Sequence, residues 1–307
     1  MTANRPENLF QPNRSLNKLT ERIIVSVFGL FAFISIITTL GIILTLATET
    51  IGFFQKVPLW RFLTDTQWTP LFVNPQYGIF VLLSGTFLTS VIAITVALPI
   101  GLLSAIYLSE YAPAKVRSWV KPALEVLAGV PSVVFGYFAL LFVTPLLQNF
   151  IPGLQGFNAL SAGLVMGISI TPLVGSISED AIYSVPQDLR QGAYAMGCTK
   201  KEVVTGVVIP AALSGIVASF ILAISRAVGE TMIVTVAAGQ NPTLTLNPLV
   251  SVQTMTSFIV QVSLGDAPTG TLAYNTLFVV GTTLFLITLT LNVFSFWFVR
   301  KFREKYE

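Results

Sequence analysis

Residues 23–47 carry no charged side chain, and neither do residues 78–108 or 126–178. A chain built on such runs has few ways to fold. About 20 predominantly apolar residues cross the hydrocarbon core of a bilayer as a helix, and a helix satisfies its own backbone groups where no water can. Two more runs, 203–240 and 273–299, are broken only by Arg226 and Glu230. The uncharged stretch 126–178 is long enough for two crossings, divided around Pro145, Pro152, Gly153, Gly156 and Asn158. The expectation is an all-α, polytopic membrane protein with six transmembrane helices. Residues 250–264 are apolar but short and include Gln253 and Gln261, so they are predicted to form an interfacial or re-entrant helix rather than a seventh crossing. Composition agrees, since 10% of the 307 residues are charged where a soluble domain carries about a quarter.

The flanking charges set an orientation. With six spans, one side receives Arg5, Arg14, Lys18 and Arg22, then Lys115, Arg117 and Lys121, then Arg190, Lys200 and Lys201, and finally Arg300, Lys301, Arg303 and Lys305, which is fourteen of the seventeen basic residues. The opposite side receives Lys56 and Arg61. An excess of Lys and Arg marks the cytoplasmic side. Both termini are therefore predicted to be cytoplasmic. The scheme is a cytoplasmic segment 1–22, a transmembrane domain 23–300 with a cytoplasmic loop at 179–205, and a cytoplasmic tail 301–307. Residues 23–47 exceed the ~7–15 residues of a secretory apolar core, so they are read as a retained helix.

The connections are uneven. Residues 48–77 are rich in aromatics (Phe53, Phe54, Trp60, Phe62, Trp68, Phe72) and are predicted to lie outside at headgroup level. Residues 110–121 read as a short basic loop. Pro99 removes a backbone donor within the second span and is expected to kink it. Pro131, flanked by Gly129 and Ser132, marks either a kink or a broken helix whose freed carbonyls line a path.

Several chemistries are excluded. There is no histidine, so the commonest general base and metal ligand are both missing. The single cysteine, Cys198, cannot form an internal disulfide. No Gly-x-x-x-x-Gly-Lys-Ser/Thr occurs, so the chain has no P-loop for ATP. No enzymatic activity and no cofactor of its own are expected.

Two constellations remain. The first reads Gln191-Gly192-Ala193-Tyr194-Ala195-Met196-Gly197, followed after nine residues by Val207-Val208-Ile209-Pro210. It is predicted as a short helix with small residues on one side, a glycine turn, a second short helix around Lys200 to Val204, and a proline that starts the next span. Composition alone would also fit an ordinary connector. The spacing resembles the coupling motif of binding-protein-dependent ABC permeases, which runs Glu-Ala-Ala, three residues, Gly, nine residues, Ile, one residue, Leu-Pro. Ala193, Gly197 and Pro210 match it, while Gln191 replaces the acidic first position and Gly192 the first alanine. The resemblance implies that Gln191, Gly192, Ala193, Tyr194, Gly197 and Pro210 form the helix and turn that dock into an ATPase subunit.

The second constellation is Ser225-Arg226-Ala227-Val228-Gly229-Glu230-Thr231-Met232. Arg226 lies sixteen residues past Pro210, roughly 24 Å along a helix. An arginine at that depth costs about 2.5–3.5 kcal/mol on insertion scales, so such residues face a pore or a partner. Arg226 and Glu230 are four apart and are expected to share a helix face and neutralise one another. That pair could merely fix helix packing. On the functional alternative, Arg226, Glu230 and Thr231 line a substrate path, with Glu230 holding the guanidinium when no anion is present.

Arg-x-x-Gly-Glu in this span resembles the oxyanion permeases for phosphate, sulfate and molybdate. The Gly-Glu-Thr-Met continuation, with Ala128-Gly129-Val130-Pro131-Ser132-Val133-Val134-Phe135-Gly136, is similar to the phosphate (PstC-type) subgroup, with a type I ABC importer permease fold. The resemblance implies a second, PstA-like permease subunit, a PstB-like ATPase dimer that binds ATP and Mg, and a PstS-like extracytoplasmic phosphate-binding protein, working by alternating access. A sulfate or molybdate permease is the nearest rival. A secondary transporter would place ionisable groups in several spans rather than one.

Overall fold

The computed structural model describes residues 14–302, in which the regular structure is helical apart from a single pair of bridged residues, Trp68 and Tyr77. Two compact units are distinguished, Met1–Glu49 and Thr50–Glu307. The described part of the first unit belongs to helix α1 (Arg14–Phe54). Its apolar side chains from Ile23 to Leu44 are exposed, as a lipid-facing helix requires. Its threonines remain compatible with that setting because Thr38, Thr39 and Thr45 each donate to the carbonyl four residues back.

The second unit contains α2 (Leu59–Thr64), α3 (Ile79–Ile106), α4 (Ala114–Ala128), α5 (Ser132–Phe138), α6 (Thr144–Gln148), α7 (Ala159–Tyr183), α8 (Gln187–Ala195), α9 (Lys200–Val203), α10 (Ile209–Val228), α11 (Met232–Ala237), α12 (Met255–Gln261) and α13 (Leu272–Phe302). Five stretches are long and apolar enough to cross a membrane: Glu21–Phe54, Ile79–Tyr111, Ala159–Tyr183, Lys200–Val228 and Leu272–Phe298. A sixth crossing is available only as a bent pair, Ala114–Ala128 with Ser132–Gln148, which meet at 89°.

The core is an α3–α7 pair with α10 and α11 packed on it. Small residues let the backbones approach, which is how helices gain contact where lipid supplies no hydrophobic drive. A Cβ added to Gly163 would lie 2.7 Å from Ile92, and one on Gly167 would lie 2.7 Å from the Ala93 carbonyl. Around this seam Ala93, Ala97, Met166, Ile170, Ala223 and Ile233 are buried together. Pro99 is carried inside α3 without ending it.

Four expectations are corrected here. Residues 110–121 are not a loop, because a π-helical turn (Tyr107–Tyr111) is followed, after the extended Ala112 and Pro113, by α4. The third span does not run on from Val126, since the Gly129–Pro131 break separates α4 from α5 and turns the chain through the 89° bend. Glu179 lies in the last turns of α7 rather than in a cytoplasmic loop, so the connection begins at Ser184. The aromatics of residues 48–77 mostly do not form a belt. Phe53, Phe62, Trp68 and Tyr77 are buried with Phe258 in edge-to-face contacts, leaving Trp60 and Phe72 outside. Their quadrupoles favour one another in that geometry over a flat interface. The same burial raises the Tyr77 phenol above its usual pKa, against a smaller opposing pull from Arg61.

Residues 250–264 do hold a short helix, α12, that is too brief to cross. It is tied into the bundle by the Met255 N–H, which donates to Thr86 Oγ1 at 3.0 Å.

Candidate functional site

The α8–α9 segment is built almost residue by residue as its sequence implies. Gln187–Ala195 form α8, and the Gly197 N–H donates to the Tyr194 carbonyl (2.9 Å) while the Cys198 N–H donates to Ala193 (3.2 Å). Those two bonds define a Schellman cap with Gly197 in the left-handed position, at φ 84°. Thr199 and Glu202 then close a reciprocal capping box that starts α9. A π-helical turn (Val204–Val208) leads without a break into α10, so Lys200–Val228 is one apolar span and Pro210 lies within it, just after the π turn, rather than at its start.

The segment is anchored from below. Arg190 is buried, donates to the Ile182 carbonyl at 2.7 Å and pairs with the buried Glu110 carboxylate at 3.1 Å. Counting Arg190 only as an orienting charge missed this, and its place one position before Gln191 gave no sign of burial. Val185, Val203, Val208 and Ala212 pack in the same cluster, with Ala193 and Cys198 against them. Gln191, Gly192 and Tyr194 are exposed on the other side, and a Cβ at Gly192 would meet nothing within 4 Å. The result is a rigidly seated helix with an open, small-residue surface.

The Arg226–Glu230 expectation is overturned. Helix α10 ends at Val228, so the two residues do not share a helix face. Glu230 is buried, and its carboxylate accepts from the Met232 and Ile233 N–H groups (3.2 and 3.4 Å), capping the next short helix. Its carbonyl accepts from Thr256 Oγ1 at 2.7 Å. Thr231 stands at the N-cap position of α11. Gly229 ends α10 and the acidic residue two positions before the next helix fits a cap, so the break had a local signature that the four-residue spacing obscured. Arg226 makes no ion pair or hydrogen bond among the described residues. It is exposed and lines a cavity of about 290 Å³ with Lys121, Ser169, Ser176 and Glu179.

Glu179 is a second residue whose role the sequence does not reveal. It is 1% exposed and takes two cations, bonding to Arg117 and to Lys121 Nζ at 2.8 Å. Lys121 also reaches Asp180 at 3.1 Å. These bonds tie α4 to α7. The Arg117/Lys121 spacing of four places both cations on one face of a helix, a signal that the expected loop at 110–121 conceals and α4 reveals.

Five or six apolar crossings, a chain break that leaves a cation free, and a capped helix and turn with an open small-residue face are the parts of a membrane transport subunit. Residues 97–306 match the family described as Binding-protein-dependent transport system inner membrane component, and the chain belongs to that family. It is accordingly a multi-pass inner-membrane permease subunit that works as one component of a larger transport system. The chain is 33% identical to the phosphate transport system permease protein PstC of Haemophilus influenzae, over 90% of this chain and 92% of that one. It is 31% identical to the probable ABC transporter permease protein YqgH of Bacillus subtilis, over 94% and 90%. Among solved structures, a bacterial ABC transporter involved in the import of the acidic polysaccharide alginate superposes with a TM-score of 0.63 at 15% identity, covering 95% of this chain and 100% of that one. The fold is that of an ABC importer permease.

Proposed function

We propose that this chain is the PstC-type permease subunit of an ATP-driven phosphate importer. The observation that carries the cargo assignment is the free guanidinium of Arg226, held at the end of a broken span with no carboxylate on it. A buried path for a multiply charged oxyanion needs a cation that can bond it transiently, and a planar guanidinium offers paired donors for that. The naming of the Haemophilus influenzae relative as a phosphate permease supports phosphate over sulfate or molybdate.

ATP hydrolysis and its Mg belong to a separate ATPase dimer of PstB type. That dimer docks on the exposed face of α8 formed by Gln191, Gly192 and Tyr194, while Ala193, Gly197 and Pro210 keep the segment in shape. A PstA-like permease completes the path and a PstS-like binding protein delivers phosphate from outside; the excess of Lys and Arg flanking the spans on the α8 side supports cytoplasmic termini. Closure of the ATPase dimer moves α8 and α9, and the Arg190–Glu110 pair passes that movement to α3 and α7.

The test is uptake of labelled phosphate by the assembled transporter carrying Arg226→Gln. Uptake is expected to be lost while the protein remains in the membrane at its usual level; retained uptake would sink the cargo assignment. Competition by sulfate as effective as that by unlabelled phosphate would turn the assignment to a different oxyanion.

A further inference from the structure

The cavity beside Arg226 contains a second cation that the proposed path does not yet use. Lys121 reaches it from α4 and is about one-third exposed, with its Nζ shared between Glu179 and Asp180. Its two acceptors differ. Asp180 is two-thirds exposed, so its hold on Lys121 is screened by water and worth little. Glu179 is buried and would be strongly destabilising if left without a counter-charge. It never has to be, because Arg117 bonds the same carboxylate and is fixed from behind by stacking over the Tyr183 ring, 4.4 Å from its centroid. Arg117 is therefore the permanent partner of Glu179, and Lys121, a flexible point charge, is the exchangeable one.

Resting on the reading that the chain passes an oxyanion, we propose that this cavity is a low-affinity release station, in which Lys121 leaves Glu179 and Asp180 to bind the anion together with Arg226. At about 290 Å³ it has room for a hydrated tetrahedral ion, given about 30 Å³ per water. Glu179 and Asp180 compete with the anion for Lys121, and the exposed Glu125, four residues along α4 and also lining the cavity, repels it. A path must let its ion leave as well as enter, so an anion site bordered by carboxylates suits release.

The experiment uses the assembled transporter in inside-out vesicles, with Cys198→Ser and Ser176→Cys as the only reporter thiol, modified by a negatively charged thiosulfonate. Inorganic phosphate is expected to slow modification, and chloride at equal ionic strength is expected not to. Lys121→Gln should raise the half-protecting phosphate concentration roughly tenfold, the worth of one lost charged hydrogen bond, and Lys121→Arg should restore it. Glu125→Gln, at an exposed position that carries no packing, should lower it. No modification of Ser176→Cys, no protection by phosphate, equal protection by chloride, or protection indifferent to Lys121→Gln would each overturn the station. Phosphate uptake by the parent transporter separates the two readings: intact uptake without protection removes the station alone, whereas absent uptake removes the phosphate assignment beneath it.

Discussion

At the scale of single residues, acid and base in the fifth crossing have separate tasks. Glu230 stabilises a chain break, and Arg226 is left free because Glu230 is used elsewhere. Removing the carboxylate should cost what a lost cap costs, about 0.5–2 kcal/mol, while an amide oxygen can still accept from the same N–H groups. Glu230→Ala is therefore expected to lower the thermal midpoint of the purified subunit more than Glu230→Gln does. Equal midpoints for the two variants would show that the carboxylate does not act as a cap. The Gln variant also tests the discarded pairing. If Glu230 neutralised Arg226, Glu230→Gln would expose an unpaired cation in the span and lower the amount of protein inserted, whereas a capping role predicts normal insertion.

At the scale of elements, the legible parts of the sequence were those in which local chemistry and period point the same way. The α8–turn–α9 segment is such a case, since Gly197, Thr199, Glu202 and Pro210 each specify a backbone state by themselves. The bend at Pro131 was half legible: the proline and its neighbouring glycine announced a break, but a turn of 89° depends on what α5 packs against, and Gly136 meets the Met232 carbonyl and Val236 of α11. Glu179 was legible only on one side: the Arg117/Lys121 spacing marks two cations on one helix face, but their acceptor lies about sixty residues away in sequence, and no alternation or motif encodes a contact of that range. The cap at Gly197 yields a test of coupling. An alanine there must adopt a left-handed conformation at a cost of about 1–2 kcal/mol, or else let the turn open. Gly197→Ala is expected to reduce phosphate-stimulated ATP hydrolysis by the assembled complex without reducing the subunit's membrane level, and Gly197→Asn, which tolerates that conformation better, should retain more of it. Full stimulation in the alanine variant would mean that the turn does not shape the docking surface.

At the scale of the whole molecule, hydropathy gives five crossings outright and a sixth only if the bent pair α4 with α5–α6 counts as one, and it leaves their sidedness to charge counting. Helix α4 carries Lys115, Arg117, Lys121 and Glu125 on fifteen residues and has no buried side chain, so it is a poor crossing by itself. With an 89° bend, α4 is expected to lie along the interface while Ser132–Gln148 enters the apolar layer. With the bent pair counted as one crossing, Lys115 is expected on the same side as α8 and Lys56 on the opposite side. Both residues are exposed. With Cys198 replaced by serine, a membrane-impermeant maleimide added to intact cells is expected to label Lys56→Cys and leave Lys115→Cys unlabelled until the membrane is permeabilised. Labelling of both positions in intact cells would mean that the bent pair does not complete a crossing. The C-terminal α13 would then emerge on the outer face with Arg300 and Lys301, against the charge rule that orients the rest of the chain.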